Sequence, residues 1–269
     1  MTEQDFLFGN PDAVADSVAA SELRVLALNI ASPSAERVRR QLDWLYATNA
    51  NCLVLTEVKT GDAADLLVRE LSSSGYTVAR PRTGPDTKYM TVIATKGYET
   101  TPTPLADANP RFHGVRLASH LGTLDVIGLY ALTNGMSADS STRRSTFQQQ
   151  TLHALSARID AEPNIPLLVT GDLNVVEPGH GPSASRALFE DHDFDFYLAF
   201  GQRLGLHDSF RQTHPTAADL TWYGPKGGQR LDHVFTSPQI HARVDSVGFD
   251  HDVRISKLSD HSALLLTAV

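Results

Sequence analysis

Apolar positions in this chain come in short runs, separated by stretches in which they recur every three or four residues. LRVLALNI (residues 23–30) is a run of strand length, SAERVRRQLDWLYATN (34–49) has the spacing of an amphipathic helix, and NCLVLTEV (51–58) is a second apolar run. These periods predict a strand, a helix and a strand, hence a β-α-β unit. DAADLLVRELSSSG (62–75) reads as a helix stopped at Gly75, and YTVAR, MTVIAT, VRLASH and LGTLDVIGLYA read as strands. The second half repeats the theme. A Ser/Thr-rich loop at 133–142 precedes a long helix from about Arg143 to Ala161, and the run LLVTGDLN (167–174) follows, with Gly171 expected to end the strand and let the chain turn. After the Gly- and Pro-containing loop EPGHGPSAS come a helix from Ala187 to Leu204 and strands in LTWYG, LDHVFTS and SALLLTAV. Helices alternate with strands in some places and strands follow strands in others. That mixture predicts the α/β class, as a two-layered α/β sandwich rather than a doubly wound parallel sheet or a barrel.

Polar residues with chemically useful side chains recur where these apolar runs end: Asn29, Glu57, Tyr130, Asp172 with Asn174, Asp232 with His233, and Asp260 with His261. One carboxylate at a strand end is an ordinary turn or cap. Six such coincidences point to a shared site. Oxygen ligands from Glu, Asp and Asn favour a hard cation such as Mg²⁺ or Mn²⁺, and no Cys/His cluster has zinc spacing. A cation of that kind engages phosphate oxygens, so phosphoester hydrolysis is the natural chemistry.

Composition narrows the picture further. With 269 residues, 41% of them hydrophobic, the chain has enough apolar surface for one large core, and a single catalytic domain is expected over 22–269 after an arm at 1–21. That arm reads as a loose segment or one short helix. No stretch approaches the roughly 20 apolar residues that span a bilayer, and acids stand where a signal peptide carries Lys or Arg, so a cytoplasmic protein without a membrane partner is expected. The single cysteine, Cys52, falls in an apolar run and reads as a buried small hydrophobe. A formal charge of −8 argues against broad attraction to nucleic acid, although metal held in an acidic cleft reverses the local potential.

The motifs ALNI, LTEVK, GLY, GDLN, RLDHVF and SDHSAL stand in the order and at roughly the spacing of the endonuclease/exonuclease/phosphatase superfamily of metal-dependent phosphoesterases, which the chain resembles over nearly its whole length. The segment LGLHDSFRQTHPTAADLTWYGPKGGQRLDHVFTS is most similar to the exonuclease III and abasic-site endonuclease branch. The resemblance implies a four-layered α/β sandwich, with two mixed β-sheets face to face and helices outside. It also implies Mg²⁺ or Mn²⁺ held by Glu57 with Asn29 and Asp260 nearby, and a DNA or nucleotide substrate without an obligate protein partner. Asp172 would orient or deprotonate the attacking water, Asn174 and Tyr130 would hold the phosphate, and His261 would bond it while Asp232 fixes the ring. The chemistry of the residues agrees, since a carboxylate on an imidazole N–H favours the charged, donating ring.

Other positions stay open between two readings. Trp222 reads as core or, by the resemblance, as pocket lining; Lys88 and Arg111 read as phosphate contacts or as solvated charges. His233 follows Asp232 on a strand and is expected to face the other way. Three departures from the branch bear on substrate: Ala31-Ser32-Pro33 replaces a second Asp or Asn followed by Gly-Leu-Arg, Thr56 replaces a Gln, and Gln229 replaces an apolar pocket residue. An unmatched amide in such a pocket costs about 1–3 kcal/mol. The expected activity is therefore a phosphodiesterase acting on DNA, as exonuclease or abasic-site endonuclease, with a phosphatase for nucleotides or other small phosphorylated metabolites as the alternative.

Overall fold

A computed structural model describes residues 6–8, 21–106, 108–133, 137–179 and 188–269 of the chain. Phe6–Phe8 form strand β1, which pairs antiparallel with a later strand, so this part of the N-terminal segment is neither loose nor helical. There follow β2 (Leu23–Asn29), α1 (Ala35–Ala47), β3 (Cys52–Lys59) and α2 (Asp62–Ser73). Next come β4 (Thr77–Pro81), β5 (Tyr89–Thr95), β6 (Glu99–Pro102), β7 (Phe112–Ser119) and β8 (Gly122–Tyr130). The long helix α3 (Ala138–Ala161) leads to β9 (Leu167–Asp172), α4 (Asp191–Gln202), β10 (His207–Asp208) and α5 (Ser209–Thr213). The chain ends with β11 (Trp222–Gly224), β12 (Gly227–Gln229), β13 (Asp232–Thr236), α6 (Pro238–His241), β14 (Val244–Asp250), α7 (Asp252–Ile255) and β15 (Ala263–Ala268).

Two mixed sheets result, in the orders β1-β4-β5-β3-β2-β15-β14 and β10-β13-β9-β8-β7-β6. Each is built around one parallel pair, β2/β3 and β8/β9, and each pair is joined by a crossover helix, α1 or α3. The repeated strand-helix-strand periodicity in the two halves of the chain is the source of that likeness. Three apolar layers separate the four structural ones. Leu26, Leu28, Val38, Leu42, Leu53 and Leu67 join the first sheet to α1 and α2. Val25, Val54, Ile93, Val126, Leu168 and Val234 fill the space between the sheets, and Ile127, Val169, Leu155, Phe196, Phe200 and Phe235 join the second sheet to α3 and α4. Alternate residues of one strand therefore serve different layers, as the period of two requires. Cys52 is buried between the sheets, where desolvation pushes its thiol up to about 12. Among the described residues no helix is long and apolar enough to cross a membrane.

Several boundaries differ from the sequence reading. Residues 138–142 belong to α3, because the Ser137 hydroxyl accepts from the Ser140 N–H and starts the helix five residues before the apolar spacing begins. Helix α4 begins at Asp191, after a capping box between Glu190 and Asp193; the expected start at Ala187 lies outside the described residues. Strand β14 has one buried side chain, Val247, and sits at a sheet edge, so it carries no alternation to detect.

Candidate active site

The parallel strands place their C-terminal ends at one rim of the sandwich, where open α/β sheets gather their ligands. Asn29 ends β2, Tyr130 ends β8 and Asp172 ends β9. Strands β13 and β15 run antiparallel to β9 and β2, so Asp232 at the start of β13 and His261, two residues before β15, come to the same rim. Asp232 lies directly opposite Asp172 in the β9–β13 register.

Glu57 reaches the rim by a local irregularity. The β3–β5 register shifts between Leu55 and Val58, and Glu57 adopts φ 53, so the bulge turns its side chain away from the strand's alternation. Its carboxylate is held by Asn29 Nδ2 at 3.1 Å, Tyr130 OH at 3.0 Å and Ser32 Oγ at 3.0 Å. Burial raises the Tyr130 phenol far above its ordinary value, with Asp172 and Glu57 adding to the effect, so it stays a donor.

Gly171 corrects the sequence reading. It does not stop the strand: β9 continues through it to Asp172. A Cβ on Gly171 would stand 2.2 Å from the Leu129 carbonyl oxygen, and the residue has φ +138. Glycine is therefore needed for close approach to β8, which holds Asp172 beside Tyr130. Gly171→Ala is expected to cost more than about 1 kcal/mol of stability, and an unchanged denaturation midpoint would contradict this account.

Asp172 is almost fully buried and accepts from Asn29 Nδ2 at 2.9 Å, Asn174 N at 2.9 Å and Asn174 Nδ2 at 3.2 Å. Asn174 takes φ 50, which Asn tolerates better than most side chains, and its Nδ2 also donates to the Ala131 carbonyl. Burial pushes the Asp172 carboxyl up to about 7; the charge of His261 opposes this and that of Asp232 reinforces it.

His261 is buried and its Nδ1 lies 2.8 Å from Asp232 Oδ2, while its Nε2 is 3.9 Å from Asp172 Oδ2. Burial alone would favour the neutral ring, yet the Asp232 carboxylate prevails and raises the imidazole to about 10. His233 turns to the opposite face as expected, with Nε2 2.9 Å from the Val175 carbonyl and its ring against Tyr197.

The rim opens into a cleft of about 1010 Å³ whose lining includes Asn29, Glu57, Asp172, Asn174, Asp260 and His261. Trp222 and Gln229 also line it, so Trp222 belongs to the pocket, and its indole N–H donates to Asp260 Oδ2 at 3.2 Å. Lys88 and Arg111 do not line the cleft. They lie over the Tyr89 ring, and Arg111 also lies 4.3 Å from the centre of the Tyr130 ring, one residue removed from the rim. Two contributors escaped sequence reasoning. Ser32 sits in a departure from the family motif, and Glu190, which accepts from Ser141 Oγ at 2.6 Å, also lines the cleft. Behind the site Arg230 bonds Glu177 and Asp208, each at 2.9 Å, tying the segment before Asp232 to the one after Asn174.

Asp172, Asp232 and Asp260 thus act on the His261 imidazole, and Glu57 joins them through Asn29, which bonds both Glu57 and Asp172. Oxygen donors in excess fit a hard divalent cation, and Glu57 and Asp260 at the cleft surface fit it better than the buried group of Asp172, Asp232 and His261, where the charged ring repels a cation.

Known proteins agree with this architecture. The Endonuclease/Exonuclease/phosphatase family profile matches residues 26–261, a span that contains the whole rim. Exodeoxyribonuclease III of Haemophilus influenzae is 30% identical over 200 residues, which cover 66% of this chain and 73% of that protein. An AP endonuclease from Archaeoglobus fulgidus superposes with a TM-score of 0.74 at 21% identity, covering 91% of this chain and 98% of its own. A variant of the 3' phosphatase NExo from Neisseria, bound to a product DNA hairpin, gives 0.73 at 21% identity, with 92% and 98% covered. The last two likenesses are of fold. Taken with the span of the profile match and the curated relative, they leave one conclusion: the chain belongs to the Endonuclease/Exonuclease/phosphatase family.

Proposed function

We propose that the chain is a divalent-metal-dependent phosphodiesterase that cleaves DNA, as an exonuclease or an abasic-site endonuclease. The observation that carries this reading is the convergence of Asn29, Glu57, Tyr130, Asp172, Asn174, Asp232 and His261 on one rim from both sheets. The likeness to an exodeoxyribonuclease III supports DNA as the substrate.

Glu57, with Asp260, would hold Mg²⁺ or Mn²⁺, and Asn29 orients the carboxylates on either side of it. Such an ion, when bound, neutralises phosphate charge and polarises the phosphoryl group. Asp172 takes the proton of the attacking water, for which a carboxyl raised towards neutrality is suited. His261, kept charged by Asp232, donates from Nε2 to a phosphate oxygen and stabilises the charge that develops there. Tyr130 and Asn174 complete the phosphate side. Both Nδ2 hydrogens of Asn174 already have acceptors, so a phosphate contact replaces one of those bonds. Trp222 packs against the sugar or base, while Lys88 and Arg111 lie beside the path of the strand.

The test uses nicked, blunt and abasic duplexes with Mg²⁺, Mn²⁺ or EDTA. Cleavage is expected with either metal, to vanish in EDTA and to return when metal is restored; cleavage indifferent to EDTA would remove the metal from the reading. Glu190 and Gln229 in the cleft and a net charge of −8 favour a second reading, a phosphatase for nucleotides or other small phosphorylated metabolites. Phosphate release from such compounds, with no cleavage or low-salt binding of DNA, would decide for it.

A further inference from the structure

Two facing turns at the rim hold side chains in left-handed backbone: Ala31 (φ 54) and Ser32 (φ 47) after β2, and Glu57 (φ 53) in the β3 bulge. Three non-glycine residues in that region are unusual, and surrounding contacts must hold them there. The contacts are specific. Ser32 N donates to the Glu57 carbonyl at 3.2 Å, Ile30 N to the Thr56 carbonyl at 3.0 Å, and Ala31 N to Asn29 Oδ1 at 2.9 Å. The Arg37 guanidinium, in the first turn of α1, donates to the Ala31 carbonyl.

We propose that Ser32 is a positioning residue whose hydroxyl fixes the Glu57 carboxylate and thereby sets the affinity of the site for its divalent cation. The inference rests on the metal-dependent reading above. A carboxylate has about four acceptor positions, two per oxygen. Glu57 Oε2 uses both of its own on Asn29 Nδ2 (3.1 Å) and Tyr130 OH (3.0 Å), so the spare capacity lies on Oε1. Ser32 Oγ occupies one position of Oε1, at 3.0 Å, and leaves the other. The hydroxyl thus holds the oxygen that has room for a cation, and the left-handed turn delivers it there. Partners of this kind, one bond behind a ligand, govern metal affinity about 10- to 100-fold.

Two variants separate the hydroxyl from the backbone. Ser32→Ala removes the hydroxyl and keeps a Cβ in left-handed backbone, whereas Ser32→Gly removes the hydroxyl and suits that conformation. Mn²⁺ binding to the substrate-free protein, followed by the electron paramagnetic resonance of free Mn²⁺, is expected to weaken about 10- to 100-fold in both. Melting in EDTA is expected to show Ser32→Gly at least as stable as the wild type. The lost turnover of both should be recovered by raising Mg²⁺, as a change in the metal requirement rather than in the limiting rate. Wild-type Mn²⁺ affinity in both variants, or in Ser32→Gly alone, overturns the role of the hydroxyl while leaving the metal-dependent reading intact. A wild-type protein that binds no Mn²⁺ overturns both.

Discussion

Turnover by Asp172→Asn is expected to fall about 10²- to 10⁴-fold, the range of a lost general base. The substitution keeps the size of the side chain and one acceptor for Asn174 N, but sets an NH₂ group against the donors of Asn29 and Asn174. Stability is expected to move the other way. The folded carboxyl titrates at about 7, above the ordinary value of 3.8, so folding holds its proton more tightly than the unfolded chain does. Its contribution to stability is therefore neutral below the ordinary value, becomes unfavourable as pH rises towards 7, and stays so above. The neutral Asn escapes that penalty. In EDTA its melting temperature should gain on the wild type as pH rises through this window. Single-turnover cleavage within tenfold of wild type, with folding intact, would remove Asp172 from the role of base.

The second large effect concerns the charge on His261. In the wild type the alkaline limb of the rate profile is expected near 10, where the ring loses its proton. A raised histidine contributes stability that is fully present below its ordinary value and is lost as pH rises through the folded one. Asp232→Asn keeps an acceptor for the ring but deletes the largest of the charges that offset burial, the others being those of Asp172 and Asp260. The alkaline limb should then move well below 10, and turnover at alkaline pH should drop by up to about 10²- to 10³-fold. A pH–rate profile and an NMR titration of the imidazole measure this together. A ring that still titrates near 10 in the variant would assign its charge to another source.

Much of the fold is legible in the sequence because it rests on local periodicity. The strands around Leu26, Leu53 and Leu168 and the helix carrying Val38, Leu42 and Leu45 declare themselves by spacing and by apolar content. Where packing supplies no such signal, the reading slips. The first turn of α3 is polar and exposed, and β14 is an edge strand with little to bury. Gly171 looks like a stop in one dimension and is a close contact in three. Arg111 declares its charge in the sequence, but only the fold shows that its guanidinium lies over the Tyr89 and Tyr130 rings.

The residues that end the apolar runs, and the fit of their oxygens and one imidazole to metal-assisted phosphoester chemistry, can be read from the chain, since strand ends and donor types are local properties. That these ends meet is a property of the folded sheets. Asn29 touches Asp172 across 143 positions of chain and Asp232 holds His261 across 29. Such contacts are made by two sheets packing face to face, and the shifted pKa values of Asp172 and His261 come from burial and neighbouring charge that exist only once the sheets have closed.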